Sequence, residues 1–158
     1  MNTEEYEMIP GNTMNYEEYL ELSVPKCRDD FIKDQTDPEY TDGYPVRMDV
    51  INFIADMLYC TGADPISVHK LFKCGFCYHF AVILQNEFGG EIKWIKGCSH
   101  IVWVDENGLA YDIEGFRNDL CLVELVPLSM LDEEASKTGK GGLESFRHRY
   151  PEYRLIQE

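Results

Sequence analysis

From Val50 the apolar positions fall at a helical interval. Val50, Phe53, Ile54, Met57 and Leu58 stand at i, i+3, i+4, i+7 and i+8, which is the stripe of one helix face. Asp49 precedes the stripe as a cap, and Thr61-Gly62 ends it. Asp64-Pro65 predicts a second helix, with Asp as N-cap and Pro in the first helical position, running through Val68 and Leu71 to about Lys73. Cys74-Gly75-Phe76 interrupts it. Cys77 then begins a third helix, CYHFAVILQNEF, closed by Gly89-Gly90. The unbroken apolar run Phe80 to Leu84 leaves this helix little polar face, the mark of a helix in the middle of a fold.

After Gly90 the period changes towards two. EIKWIK at 91–96 alternates polar and apolar residues, and HIVWV at 100–104 and LAYDI at 109–113 flank Asp105-Glu106-Asn107-Gly108, a hairpin signal. A further strand is predicted at LCLVELV, 120–126, ahead of Pro127. Helices followed by an antiparallel meander give an α+β fold in which a buried helix packs on a sheet.

Outside this core the pattern weakens. YEEYLEL at 16–22 predicts a short helix, and DQTDPEYTDGYP at 34–45 reads as loop, because Asp-Pro, Asp-Gly and Tyr-Pro are turn signals. Residues 1–47 are expected to form an arm lying over the core of 48–126. Residues 127–158 are expected to be a C-terminal helical extension, with helices near 129–136 and 143–149 around a glycine-rich loop. The 158 residues suit one domain. Apolar residues at 44%, with ten Tyr and eight Phe, argue against a disordered chain.

The net charge of −15 argues against a nucleic-acid partner and an anionic membrane surface, while remaining compatible with a basic substrate. No run approaches the ~20 apolar residues of a membrane span. The acidic N-terminus, MNTEEYEMIPGN, does not have the pattern of a signal peptide. The six cysteines are accordingly expected to be mostly reduced thiols of a cytoplasmic protein. The sequence does not speak to oligomeric state.

The chemistry centres on Cys77. A thiol at a helix start meets unpaired backbone N–H groups and the positive end of the helix dipole, which can lower a cysteine from ~8.5 to ~3.5–7.5. A thiol nucleophile also needs a histidine base held by a third group. His100 opens one hairpin strand and Asp112 lies on the returning one. For these two to share a face, the loop must be Glu106-Asn107-Gly108, with Gly108 at positive φ and Val102 opposite Asp112. Cys77 is then expected on the same side of the sheet as His100, Val102, Val104, Ala110 and Asp112. His79, two residues into the helix, is read as structural, and Trp94, Trp103 and Tyr111 as core.

Gly75-Phe76-Cys77-Tyr78-His79-Phe80-Ala81 is similar to the G-x-C-x-x-aromatic-A helix start of transglutaminase-like domains in the papain-like superfamily. Ser99-His100-Ile101-Val102-Trp103-Val104 resembles their H-x-W/V-V strand. Gly108-Leu109-Ala110-Tyr111-Asp112 resembles their return strand, one residue shorter. The resemblance covers about residues 70–115. It implies a papain-like core, with Cys77 as nucleophile, His100 as base and Asp112 as orienting acid. It also implies acyl transfer to water or an amine from a peptide or other amide or ester. It implies no metal and no organic cofactor. The Cys77 backbone N–H would be one oxyanion donor, and no second is identified at 68–73.

Three other readings stay open. Cys74-Gly75-Phe76-Cys77 also looks like the C-G-x-C of a thiol–disulfide oxidoreductase, although a helix rather than a strand precedes it. Cys74, Cys77, Cys98 and His100 would make a zinc set, with an uncommon C-x-H spacing. A papain-like scaffold could also bind or regulate without chemistry.

Overall fold

The computed structural model describes residues 16–73, 76–96 and 100–130. Six helices come first: α1 (Tyr16–Ser23), α2 (Arg28–Thr36), α3 (Pro38–Thr41), α4 (Met48–Tyr59), α5 (Pro65–Lys73) and α6 (Cys77–Phe88). Strands β1 (Glu91–Ile95), β2 (Ile101–Val104), β3 (Ala110–Asp112), β4 (Gly115–Phe116) and β5 (Leu125–Pro127) follow, with a 3₁₀ turn at Asn118–Leu120. They form one antiparallel sheet in the order β4-β3-β2-β1-β5. The fold is therefore mixed α+β. None of the described helices is long and apolar enough to cross a membrane.

Helix α4 begins one residue ahead of Asp49, which lies in the first turn and accepts a hydrogen bond from the Val50 N–H instead of standing outside as the cap. Its apolar stripe buries Val50, Ile51, Ile54, Ala55 and Leu58. Helix α5 starts at Pro65, and the Asp64 carbonyl accepts the first helical bond from Val68. Helix α6 has seven buried residues, Cys77 to Val82 and Leu84.

The 34–45 segment departs from the predicted loop. Helix α2 runs to Thr36, and Asp37 then caps α3 through a bond from the Glu39 N–H, with Pro38 in the first turn. The same Asp-Pro pair that signals a turn is also a helix start. Phe31 enters the main core from α2, and the Gln35 amide receives the Phe116 N–H at 2.6 Å and donates to the Glu114 carbonyl at 3.2 Å. The fifth strand is shorter than expected: Leu120 belongs to the 3₁₀ turn, and only 125–127 pair with β1. The two-residue strand β4 has no sequence signal of its own. Most of the predicted C-terminal extension, residues 131–158, lies outside the described residues.

The β2–β3 hairpin has the expected register. Trp103 opposes Tyr111 and Val104 opposes Ala110, which places Val102 across from Asp112 and leaves Glu106-Asn107-Gly108 as the loop. Gly108 has φ +79°. The buried Asp105 carboxylate holds the turn, accepting from the Asn107 and Leu109 N–H groups and from the Tyr111 hydroxyl.

Alternation divides the sheet into two faces. Ile101, Trp103, Leu109, Tyr111 and Ile113 join α6 in the main core, whereas Ile95, Val102, Val104 and Ala110 form a smaller cluster with Leu120. Cys77 belongs to the main core. This corrects the expectation that it lies on the Val102 and Val104 side. His100 precedes β2 by one residue, so strand alternation does not fix its ring.

Candidate functional site

Cys77 is the first residue of α6 and is 4% exposed. The preceding Phe76 offers no side-chain cap, and no acidic residue occupies the first turn. The opening N–H groups of a helix have no acceptor within it. This end of α6 thus keeps its positive character for an anion.

His100 is anchored by its carbonyl, which accepts the Ile95 N–H at 3.1 Å. Its Nε2 lies 2.7 Å from Asp112 Oδ2, and the Cys77 side chain is near enough to the ring to influence its titration. With Nε2 engaged by the carboxylate, Nδ1 is the nitrogen left for sulfur. Burial, the strongest influence, pulls the His100 pKa down. The Asp112 hydrogen bond, together with the influence of Cys77 and the charge of Asp112, outweighs it and raises the value to about 9. The structure therefore brings His100 and Asp112 into contact, with Cys77 in the neighbourhood of the ring.

Asp112 is the hub of a wider cluster. Oδ1 accepts the Glu114 N–H at 2.8 Å, while Oδ2 faces Arg117 Nη1 at 2.6 Å and Lys73 Nζ at 3.6 Å in addition to His100. Burial works to raise its pKa, but the His100 hydrogen bond and the charges of Lys73, Arg117 and His100 hold it well below the usual carboxylate range. Glu114 sits among Lys73 Nζ (2.7 Å), Arg117 Nη1 (3.2 Å) and His69 Nε2 (3.2 Å). Burial and Asp112 push Glu114 up, yet the His69 bond, Lys73 and Arg117 bring it down to about 2. Arg117 turns Nε and Nη2 to Asp119 at 2.9 and 2.8 Å. Its pKa is raised, because the surrounding carboxylates outweigh its burial.

Sequence reasoning missed Lys73, Glu114 and Arg117. Their one signal is position: Lys73 ends the helix before the Cys77 segment, and the other two flank the short strand after Asp112. His79 is fully buried, with its ring against those of Phe76 and Tyr78. Cys74 and Cys98, on which the redox pair and the zinc set depend, lie outside the described residues. Among the described residues, no three His, Cys, Asp or Glu side chains converge as a metal site.

A cleft of about 240 Å³ reaches Glu114, Arg117 and His69 from the side of Phe31, Gln35 and Tyr40. Neither Cys77 nor His100 lines it, so this recess is not where the thiol would meet a substrate.

Comparison of the chain with family models, curated proteins and solved structures finds no match. The residues and their geometry carry the functional argument alone.

Proposed function

We propose that the protein is a thiol-dependent acyl-transfer enzyme with a papain-like core, acting on a peptide or another amide or ester. The observation that carries this is His100, whose ring holds the Asp112 carboxylate at 2.7 Å and has the Cys77 thiol near enough to shift its pKa. A histidine bridging a helix-start cysteine and a buried carboxylate has the parts of a nucleophile, a base and an orienting acid.

In this mechanism Cys77 and His100 share one proton, which the ring holds, and the sulfur as thiolate forms a bond to the substrate carbonyl carbon. The carbonyl oxygen takes up the electron pair, and the Cys77 N–H is positioned to stabilise its charge. Collapse breaks the bond to the leaving amine or alkoxide, which takes the proton from His100 and leaves a thioester. Water or an amine then attacks the thioester, gives its proton to His100, and releases the acyl group with the Cys77 thiolate restored. Asp112 keeps the imidazolium in place throughout. The acidic chain suits a basic substrate without requiring one.

One observation favours a second reading, a papain-like scaffold that binds without chemistry: Cys77 is buried, with only 4% of the residue exposed. Alkylation separates the two. Brief iodoacetamide treatment at about pH 6, followed by mass mapping, should modify Cys77 ahead of the exposed Cys27 and Cys60. Labelling of Cys27 and Cys60 with Cys77 untouched would support the inert scaffold, and labelling led by Cys74 would support the redox pair.

A further inference from the structure

The mechanism above uses a single contact of Asp112, yet this carboxylate is met by three cationic groups. His100 approaches from the start of β2, Lys73 from the end of α5 and Arg117 from just beyond β4. Glu114 faces the same cations, and Asp119 faces Arg117. Lys73 and Arg117 are both largely buried, with side-chain exposures of 12% and 16%.

A buried carboxylate whose sole partner is an imidazole has two ways to be neutralised: the proton can sit on the ring or on the carboxyl. In the second state the ring loses the anion that steadies its positive form. A guanidinium removes that alternative, because it keeps its charge across the accessible pH range and offers a fixed fork of donors. Here the fork is itself immobilised. Two of its nitrogens are held by Asp119, and the third reaches Asp112 and Glu114. The Glu114 N–H on Oδ1 fixes the other carboxylate oxygen, so both the plane and the charge of Asp112 are set before His100 is considered.

We infer that Arg117, seconded by Lys73, is a positioning residue for the Cys77–His100 pair, keeping Asp112 an ionised and oriented acceptor while the ring exchanges its proton with sulfur. This rests on the thiol reading above and deepens it. Arg117 touches neither sulfur nor substrate in this role. It acts through Asp112, and its positive charge also favours an anion at Cys77 over a neutral thiol.

The test is the pH dependence of iodoacetamide alkylation at Cys77 in the full chain, compared among the parent, Arg117→Lys and Arg117→Met. Loss of a nearby positive charge should move the acid limb to higher pH by about one unit. At about pH 5.5 the Met variant should therefore react roughly tenfold more slowly than the parent, with the rates converging near pH 9. Arg117→Lys should recover most of the difference. A purely structural role would lower the melting temperature and leave the limb in place. A folded Arg117→Met protein with an unmoved limb, or with a uniform slowing at all pH values, overturns the inference. If Arg117→Met does not fold, Lys73→Gln decides: it should shift the limb in the same direction by a smaller amount, and an unmoved limb overturns the inference. A parent in which Cys77 never reacts brings down the thiol reading itself. That outcome shows in the parent, whereas failure of the inference alone shows only in the variants.

Discussion

His100 is drawn in opposite directions by its surroundings. Burial disfavours its charge, whereas Asp112 and Cys77 favour it, with a net rise from 6.5 to about 9. A group whose pKa rises on folding stabilises the fold fully below its unfolded value and loses that contribution as pH climbs through the folded one. The His100 contribution is thus complete below about pH 6.5 and gone above about pH 9, and a rise of this size corresponds to roughly 3 kcal/mol. The melting temperature should fall across this window, and His100→Gln should flatten the fall. An equally steep decline in the variant would mean that other groups govern it. Glu114 acts in the opposite sense. Its pKa is depressed to about 2, so its contribution is present above about pH 4.5 and is lost as pH falls through about 2. These pairings explain what the sequence concealed. Cys77, His100 and Asp112 stand out because a thiol at a helix start and a carboxylate in an apolar strand each demand a partner. Lys73, Glu114 and Arg117 stand at element ends, where charges are usually solvated, and nothing local says that chain reversal after Asp112 buries them together.

Among the elements, α4, α5 and α6 and the β2–β3 hairpin were legible because each combines a clear period with a defined stop. The hairpin register followed from one residue, Gly108, whose positive φ permits the three-residue loop. Strand β4 is too short to carry a period, and α3 shares its Asp-Pro signal with a turn. The side of the sheet taken by Cys77 was misjudged because alternation was extended to His100, outside β2. Two glycines with the same backbone demand make a comparison of energies possible. Gly108 has φ +79° and open space where a Cβ would project. Gly90 has φ +77°, but its Cβ would stand 2.7 Å from both the Trp103 indole nitrogen and the Val104 carbonyl oxygen. Trp103 is fully buried there and donates to the Gly89 carbonyl at 2.6 Å, so it has no room to retreat. Gly108→Ala should cost about 1 kcal/mol from backbone strain alone. Gly90→Ala should cost that and about 1–3 kcal/mol more from overpacking. Urea unfolding of the two variants checks this, and equal midpoints would show that Trp103 shifts freely.

For the whole molecule, the path from helices to sheet sets where chemistry can occur. Helix α6 lies against the Trp103 and Tyr111 face with its first turn at the end of the sheet, where β2 begins and β3 ends. Helix α5 delivers Lys73 to the same end, and the turn after β3 returns Glu114 and Arg117 to it. The α+β class was readable from the switch in period at Gly90, but the convergence of four segments on Asp112 is a property of the assembled chain. The most direct measurement of the central claim is the capture of an acyl group on Cys77. The full chain is incubated with an activated acetyl ester, quenched in acid, and examined by intact and peptide mass. The account predicts one acetyl group per chain on Cys77, removed by hydroxylamine, absent in Cys77→Ser and formed far more slowly in His100→Ala. An intact protein that takes up no acetyl group at Cys77, or takes it up equally with and without His100, would contradict it.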